Sequence, residues 1–212
     1  MTKIIFIRHG QTEWNLTFRY QGHTDIALTE LGRRQAHCVA QRLANEPLAA
    51  IYSSDLSRAW ETAETIAACH TLPVVAKPAL REMNFGDWEG LTYGGIVSAW
   101  PAEMENFFRA PAEVAIPGGE KFSALQHRIG AALDEIIAAH PDETVAVVSH
   151  GGAIRAALCA ALCMPLNAFW HIRQDNTAVN RVTYFPDEAR AVVELVNDVN
   201  HLTQLAEGAS GR

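Results

Sequence analysis

Nowhere does an apolar run in this chain approach the ~20 residues that a helix needs to cross a bilayer. No basic segment followed by an apolar stretch precedes the first candidate strand, so nothing in the sequence reads as an anchor or an export signal. Positive charge is in deficit. Against 24 Asp and Glu there are 17 Lys and Arg, a formal net charge of −7, which argues against nucleic acid and membrane surfaces as partners. An anionic ligand would have to be drawn in by a local basic pocket. Cysteine is sparse too: Cys38, Cys69, Cys159 and Cys163 show neither zinc-ribbon spacing nor the density of a secreted disulfide scaffold. With three of them in helical patterns, they read as buried thiols in a reducing compartment, and the expected location is cytoplasmic. Repeats of fixed period and low-complexity linkers are also missing. What remains is 212 residues, 49% of them hydrophobic, enough for one ordinary core. The expectation is a single domain over residues 1–206, followed by a disordered polar tail at 207–212.

Short apolar runs ending at polar turns, each followed by a helical pattern, organise the chain. Residues 4–7 read as a buried strand that stops at Arg8-His9-Gly10. Thr29 is placed to cap a helix carrying Leu31, Val39, Ala40 and Leu43 on one face, with Pro47 at its exit. Residues 49–52 make a second strand. Ser53-Ser54-Asp55 then offers cap formers to a helix with Arg58 in its first turn. A weaker apolar segment, 73–80, leads to Glu82, which is expected at another strand end. Between 91 and 120, Pro101, Pro111 and Pro117 with Tyr93, Trp100, Phe107 and Phe108 predict short helices in a lid-like excursion rather than a core layer. Phe122, Leu125, Ile129, Leu133, Ile136 and Ile137 share one face of a long helix ended by His140-Pro141. Residues 145–149 then repeat the opening grammar, a strand running into His150-Gly151-Gly152 and a helix over 153–163. Two β-rich runs, 177–185 and 191–196, are placed to pair as an antiparallel edge, a surface that can also pair across a homodimer. Strands alternating with helices predict an α/β fold: a mainly parallel sheet covered by helices on both faces, with a small inserted cap. Ligands of such sheets sit beyond the carboxyl ends of the strands.

His9, Arg58, Glu82 and His150 all come from such ends or the turns after them. A phosphomonoester needs donors for its dianionic head, an in-line nucleophile and an acid for the leaving oxygen. Arg8 and Arg58 offer planar donor forks, each charge-assisted bond contributing roughly 1.5–3 kcal/mol. The helix amides after Ser53-Ser54 and after His150-Gly151 are expected to add positive potential for the anion. Neighbouring guanidinium groups disfavour imidazolium, which keeps a lone pair on His9. A carboxyl beside bound phosphate has its pKa raised, which suits Glu82 to general-acid work of ~10²–10⁴ in rate. Asp87 and Glu89 lie near enough to serve in its place. Thr12, Asn15, Gln21 and Gly22 either line the pocket or merely form the loop, and Trp14, Phe18, Tyr20, Phe85, Trp88 and Trp100 either pack or wall a hydrophobic substrate. Two rivals stand beside this reading. One is a metal hydrolase using two histidines and a carboxylate, which two converging arginines oppose. The other is a module that only binds phosphate and needs neither His9 nor Glu82.

Taken together, RHGQTEWN, YQGHTDIALTELGRRQA, IYSSDLSRAWETAE, LREMNFGDWEG and VVSHGGAIR, spanning roughly residues 3–185, resemble the histidine phosphatase superfamily. That family includes cofactor-dependent phosphoglycerate mutases, broad-specificity phosphatases and α-ribazole phosphatase. The resemblance implies that His9 becomes a phosphohistidine, that Arg8, Arg58 and His150 bind the phosphoryl group, and that Glu82 donates the proton. It also implies that Asn15, Gln21 and Gly22 are loop positions touching phosphate or substrate, with Thr12 in the same motif; Phe85 and Gly151 complete the expected substrate site. Dedicated mutases carry a lysine and paired arginines after the glutamate, whereas here Arg109 is the only basic residue between Glu82 and Glu120. The expectation is therefore a metal-independent phosphatase without a cofactor, acting on a small phosphorylated metabolite, with mutase activity as the alternative.

Overall fold

A computed structural model describes residues 1–203 and 205, so the tail expected at 207–212 lies outside the described residues. Six strands form one sheet: β1 (Thr2–Arg8), β2 (Leu48–Ser53), β3 (Val74–Ala76), β4 (Thr144–Ser149), β5 (Val179–Phe185) and β6 (Arg190–Asp198). Their order is β3-β2-β4-β1-β5-β6, the first four mutually parallel and β5 antiparallel to both of its neighbours, β1 and β6. The alternating pleat of β1 explains why its run is apolar throughout. Ile4 and Phe6 enter the core on one face, Ile5 and Ile7 on the other, and all four are buried. Each such side chain contributes about 1.5–3 kcal/mol by leaving water.

Helices α2 (Glu30–Leu43) and α3 (Ser57–Ala67) cover the second face through Val39, Leu43, Ala63 and Ile66. The first face is covered by α6 (Phe122–Ala139) and α7 (Gly151–Ala161). A short α1 (Glu13–Leu16) lies in the loop after β1, and α4 (Tyr93–Ala99) and α5 (Pro101–Arg109) fall in the 91–120 excursion. Thr29 caps α2 by accepting from the Gly32 amide at 3.0 Å, as its sequence position predicts. Helix α6 follows its apolar periodicity to a stop at His140, and β5 and β6 pair antiparallel.

Four local expectations are corrected. Helix α3 begins later than the cap formers at 53–55: Leu56, which has no polar side chain, takes the cap position, while Ser54 Oγ accepts from the Leu56 amide at 3.3 Å and is bonded to His150 Nε2 at 2.8 Å. Glu82 does not end a strand: β3 stops at Ala76 and a tight turn at Pro78–Leu80 intervenes. The 91–120 excursion is not remote from the core, since Ile96, Met104, Phe107, Val114 and Ile116 are buried in the main apolar cluster. Of the four thiols only Cys159 is buried, whereas Cys69 and Cys163 lie on exposed helix exits.

Candidate active site

Strand register brings the two histidines together. β1 and β4 are parallel neighbours with Arg8 opposite Ser149, so the next residue of each strand, His9 and His150, emerges at the same edge. The His9 amide donates to the Ser149 carbonyl at 3.0 Å, and the ring centroids stand 5.1 Å apart. On the other side of β4, the Ser54 amide closes onto Val148 at 3.0 Å, delivering a third polar group from β2.

His9 is buried, and its Nδ1 lies 2.7 Å from the Gly10 carbonyl oxygen. A carbonyl can only accept, so Nδ1 carries the proton and Nε2 keeps its lone pair. Among the described residues nothing bonds that Nε2. Burial, and then the Arg58 and Arg8 guanidinium groups, hold His9 well below the usual imidazole range. Charge repulsion alone was the sequence argument; desolvation is the larger cause.

His150 is fully buried and held well below its usual range by burial and then by Arg58. Arg58 Nε donates to His150 Nδ1 at 3.3 Å, which fixes the proton on Nε2, and Nε2 donates to Ser54 Oγ at 2.8 Å. Both nitrogens of His150 are thus engaged within the protein. The rest of Arg58 donates to the carbonyls of Thr24 at 3.0 Å and Gly22 at 2.7 Å. An arginine in a first helical turn is ordinarily solvated, yet this one is fully buried and pushed down to about 10 by desolvation, still charged at neutral pH. Arg8 donates through Nη1 to the Gln174 carbonyl at 2.7 Å, and its buried Nε has no partner.

The Glu82 carboxylate is gripped by three backbone amides. Met83 and Ala153 donate to Oε1 at 2.8 and 3.2 Å, and Gly152 donates to Oε2 at 2.9 Å. Two of these belong to the first turn of α7, so that helix end is occupied by Glu82 and is not left wholly to an incoming anion. The α3 end is likewise taken, by Asp25 accepting from the Ser57 amide at 2.8 Å. This corrects the expectation that the amides of both helix ends add positive potential for the anion, since amides at each end already donate to a protein carboxylate. A second device holds the Glu82 backbone. All five N–H bonds of Arg128 are used: to Glu120 Oε1 and Oε2, both at 2.8 Å, and to the carbonyls of Ala79, Arg81 and Glu82 at 2.8, 2.7 and 2.7 Å. Asp87 and Glu89 do not compete for the site, because Glu89 is spent on the amides of His23 and Thr24 and Asp87 does not line the cavity.

A cavity of about 410 Å³ opens above this floor. Arg8, His9, Asn15, Gln21, Glu82, Phe85 and Gly151 line it. Thr12, Gly22, Arg58 and His150 do not; they sit behind the lining. Thr12 is buried and donates to Gln21 Oε1 at 3.0 Å and Asn15 Oδ1 at 3.1 Å, so it holds the two side chains that reach the cavity. Gly22 supplies the carbonyl that fixes Arg58. Of the aromatics weighed from sequence, Phe18, Tyr20 and Phe85 wall the cavity, while Trp88 is fully buried packing. Sequence reasoning missed Arg128, Ser54, Arg155 and the aromatic wall of Phe107, Phe108, Phe122, Phe169 and Trp170. The only signal for Arg155 was its place one turn after His150 on the same helix. Among the described residues no three His, Cys, Asp or Glu side chains gather as a metal site, and no helix is long and apolar enough to cross a membrane.

Three histidines held neutral by burial give a stability prediction. His201 joins His9 and His150, lowered to about 4 chiefly by burial. Unfolding restores ordinary imidazoles near 6.5, so below that pH the unfolded chain binds more protons than the native one. Stability is full above pH ~6.5 and falls as the pH drops toward the depressed native values, by up to about 1.4 kcal/mol per pH unit for each histidine. Thermal melts between pH 7.5 and 5 are expected to show a falling midpoint; a flat midpoint would contradict the neutral assignment.

The histidine phosphatase superfamily (branch 1) pattern matches residues 4–198. Phosphoserine phosphatase 1 of Hydrogenobacter thermophilus is 35% identical over 202 residues, 95% of each chain. Phosphoglycerate mutase-like protein 4 of Arabidopsis thaliana is 38% identical over 212 residues, 99% of this chain and 90% of that one. Among solved structures, Bacillus stearothermophilus YhfR superposes with a TM-score of 0.90 at 35% identity, covering 95% of this chain and all of the other.

Proposed function

This chain belongs to the histidine phosphatase superfamily and is a phosphomonoester hydrolase of that family, and we propose that it transfers the phosphoryl group through His9. The observation that carries this reading is the Nδ1–H bond from His9 to Gly10, which leaves Nε2 unprotonated in a cavity that Arg8, with its partnerless Nε, also lines. The Nε2 lone pair attacks phosphorus, the P–O ester bond breaks, and the departing oxygen takes a proton from Glu82. In the second half, water attacks the phosphohistidine and gives a proton to the Glu82 carboxylate. The P–N bond breaks, releasing phosphate and returning neutral His9. Arg8 and Arg58 balance the charge on the non-bridging oxygens. His150 fixes the Arg58 plane, and its own contact with the phosphoryl group requires Nε2 to leave Ser54.

Phosphatase rather than mutase chemistry is supported by the cap. Arg109, its one arginine, is exposed and faces Glu105 at 3.5 Å, so no paired cations there retain a bisphosphorylated intermediate. The reading includes one domain with a small inserted cap, a small phosphorylated metabolite as substrate, no nucleic-acid or membrane partner, and a cytoplasmic location, the last supported by four cysteines that remain thiols. It also includes a homodimer formed through β6, supported by the edge position of that strand and its exposed Val192 and Val196. The experiment is turnover of p-nitrophenyl phosphate by chelator-treated protein. Undiminished phosphate release is expected. Loss of release that a divalent ion restores would favour the metal-hydrolase reading and overturn this one.

A further inference from the structure

Three arginines line the cavity, Arg8, Arg19 and Arg155, and the last has no assigned task. Arg155 lines the cavity from α7. Its Nε is anchored on the Ile172 carbonyl at 2.6 Å, and its guanidinium stacks on the Trp170 and Phe169 rings, 5.1 and 5.9 Å from their centroids. That fixes the plane of the fork while both terminal nitrogens stay without an acceptor among the described residues. Gly151 opens the space they face. A Cβ there would lie 3.2 Å from Arg155 Nη1 and 3.5 Å from Arg8 Nε, the buried nitrogen that also has no partner. The two unsatisfied donors therefore stand on either side of a gap that one methyl group would fill, next to the floor that takes the phosphoryl group.

The charges around this gap do not cancel with a phosphomonoester alone. Arg8 and Arg58 match the two negative charges of the dianion, and Glu82 in its acid form adds none. Asp175, the other carboxylate whose charge reaches both Arg8 and Arg155, is bonded to Arg173 at 2.8 Å and to Asn197 at 2.9 Å. Arg19, at the cavity mouth, is exposed and bonded to the Gly90 carbonyl at 2.5 Å. Arg19 keeps its charge but is screened by water, whereas Arg155 stands among aromatic walls, where an unbalanced charge is costly and a matching anion binds strongly.

We propose that Arg155 recognises a carboxylate on the alcohol portion of the substrate, so that the enzyme acts on phosphomonoesters bearing one carboxylate a few bonds from the ester oxygen. A planar carboxylate fits the two free terminal nitrogens of a stacked guanidinium, and its single charge closes the balance; a second phosphoryl group would overfill it. The inference rests on the phosphatase reading above and names its substrate class.

The test compares kcat/KM for O-phosphoserine and 3-phosphoglycerate with kcat/KM for O-phosphoethanolamine and glycerol 3-phosphate, in the parent protein and in Arg155→Met and Arg155→Lys. The parent is expected to favour the carboxylated pair. In Arg155→Met the ratio of the two pairs should fall about 10- to 100-fold, through KM. Arg155→Lys, which keeps the charge but loses the fork, should fall by less. Thermal stabilisation by inorganic phosphate, measured on each variant, reports an intact fold and phosphate floor. An equal loss on both substrate pairs would assign Arg155 to the phosphoryl group and overturn the proposal, as would a ratio unmoved by either substitution. Failure of the parent to hydrolyse any of the four esters would instead sink the phosphatase reading.

Discussion

Replacing His9 with Ala is expected to lower kcat by on the order of 10⁴- to 10⁶-fold on every phosphomonoester, good and poor leaving groups alike. Bond-making to phosphorus has no substitute nucleophile at this position. The neighbouring imidazole, His150, is turned away, with Nδ1 accepting from Arg58 and Nε2 bonded to Ser54. Water entering the space left by the ring would face a dianion without the advantage of a fixed attacking atom, which supplies much of the lost rate. Binding should survive, because Arg8 supplies donors to the phosphate and Arg58 supplies charge from behind the lining, and neither loses a bond in the variant. The expected pattern is phosphate affinity within a few fold of the parent and turnover at background. A variant that kept the parent rate would leave His9 a spectator and return the phosphate-binding floor to a module with chemistry elsewhere.

Glu82→Gln should show a loss that depends on what departs. Esters of aliphatic alcohols need the leaving oxygen protonated, so kcat for glycerol 3-phosphate is expected to fall about 10²- to 10⁴-fold. For p-nitrophenyl phosphate, whose leaving group departs as a stable anion, the fall should be under about tenfold. The amide has one acceptor where the carboxylate has two, so its NH₂ must oppose one of the amides of Met83, Gly152 or Ala153. That mismatch costs about 1–3 kcal/mol of stability, which a melt would register separately from the rate. Gly152→Ala reaches the same carboxyl without touching its chemistry. Its Cβ would lie 2.3 Å from Glu82 Oε1, so the carboxyl has to move, whereas alanine in a helix is otherwise favoured over glycine by about 1 kcal/mol. A helix that keeps its stability while the enzyme loses poor-leaving-group substrates selectively is the expected result. Equal losses on both ester classes in these variants would remove Glu82 from the proton-transfer role.

Much of this site was legible because strand ends are legible. The abrupt stops at Arg8-His9 and Ser149-His150 place the two imidazoles on parallel strands, and register then makes them neighbours. The long helix α6 and the antiparallel end of the sheet followed from apolar spacing alone. What did not show was every feature set by contacts across the fold. Arg58 reads as a surface charge until Gly22, Thr24 and His150 are seen to close around it. The two helix N-termini look ready for phosphate until Glu82 and Asp25 are found on them. Arg128 sits on a helix with nothing in its spacing to mark it, and its five bonds exist only because α6 passes beneath residues 79–82. The aromatic wall was underestimated for the same reason: Phe107, Phe122 and Phe169 come from three separate elements and meet only after folding, with Phe122 and Phe169 centroids 4.8 Å apart.

The central claim, that the phosphoryl group passes through His9 Nε2, is tested most directly by trapping it. Protein mixed with a ³²P-labelled phosphomonoester and quenched within milliseconds should hold label that acid releases and alkali spares, and peptide mapping should place it on His9. Label that resists acid, or that persists at the same level in His9→Ala, would contradict the account.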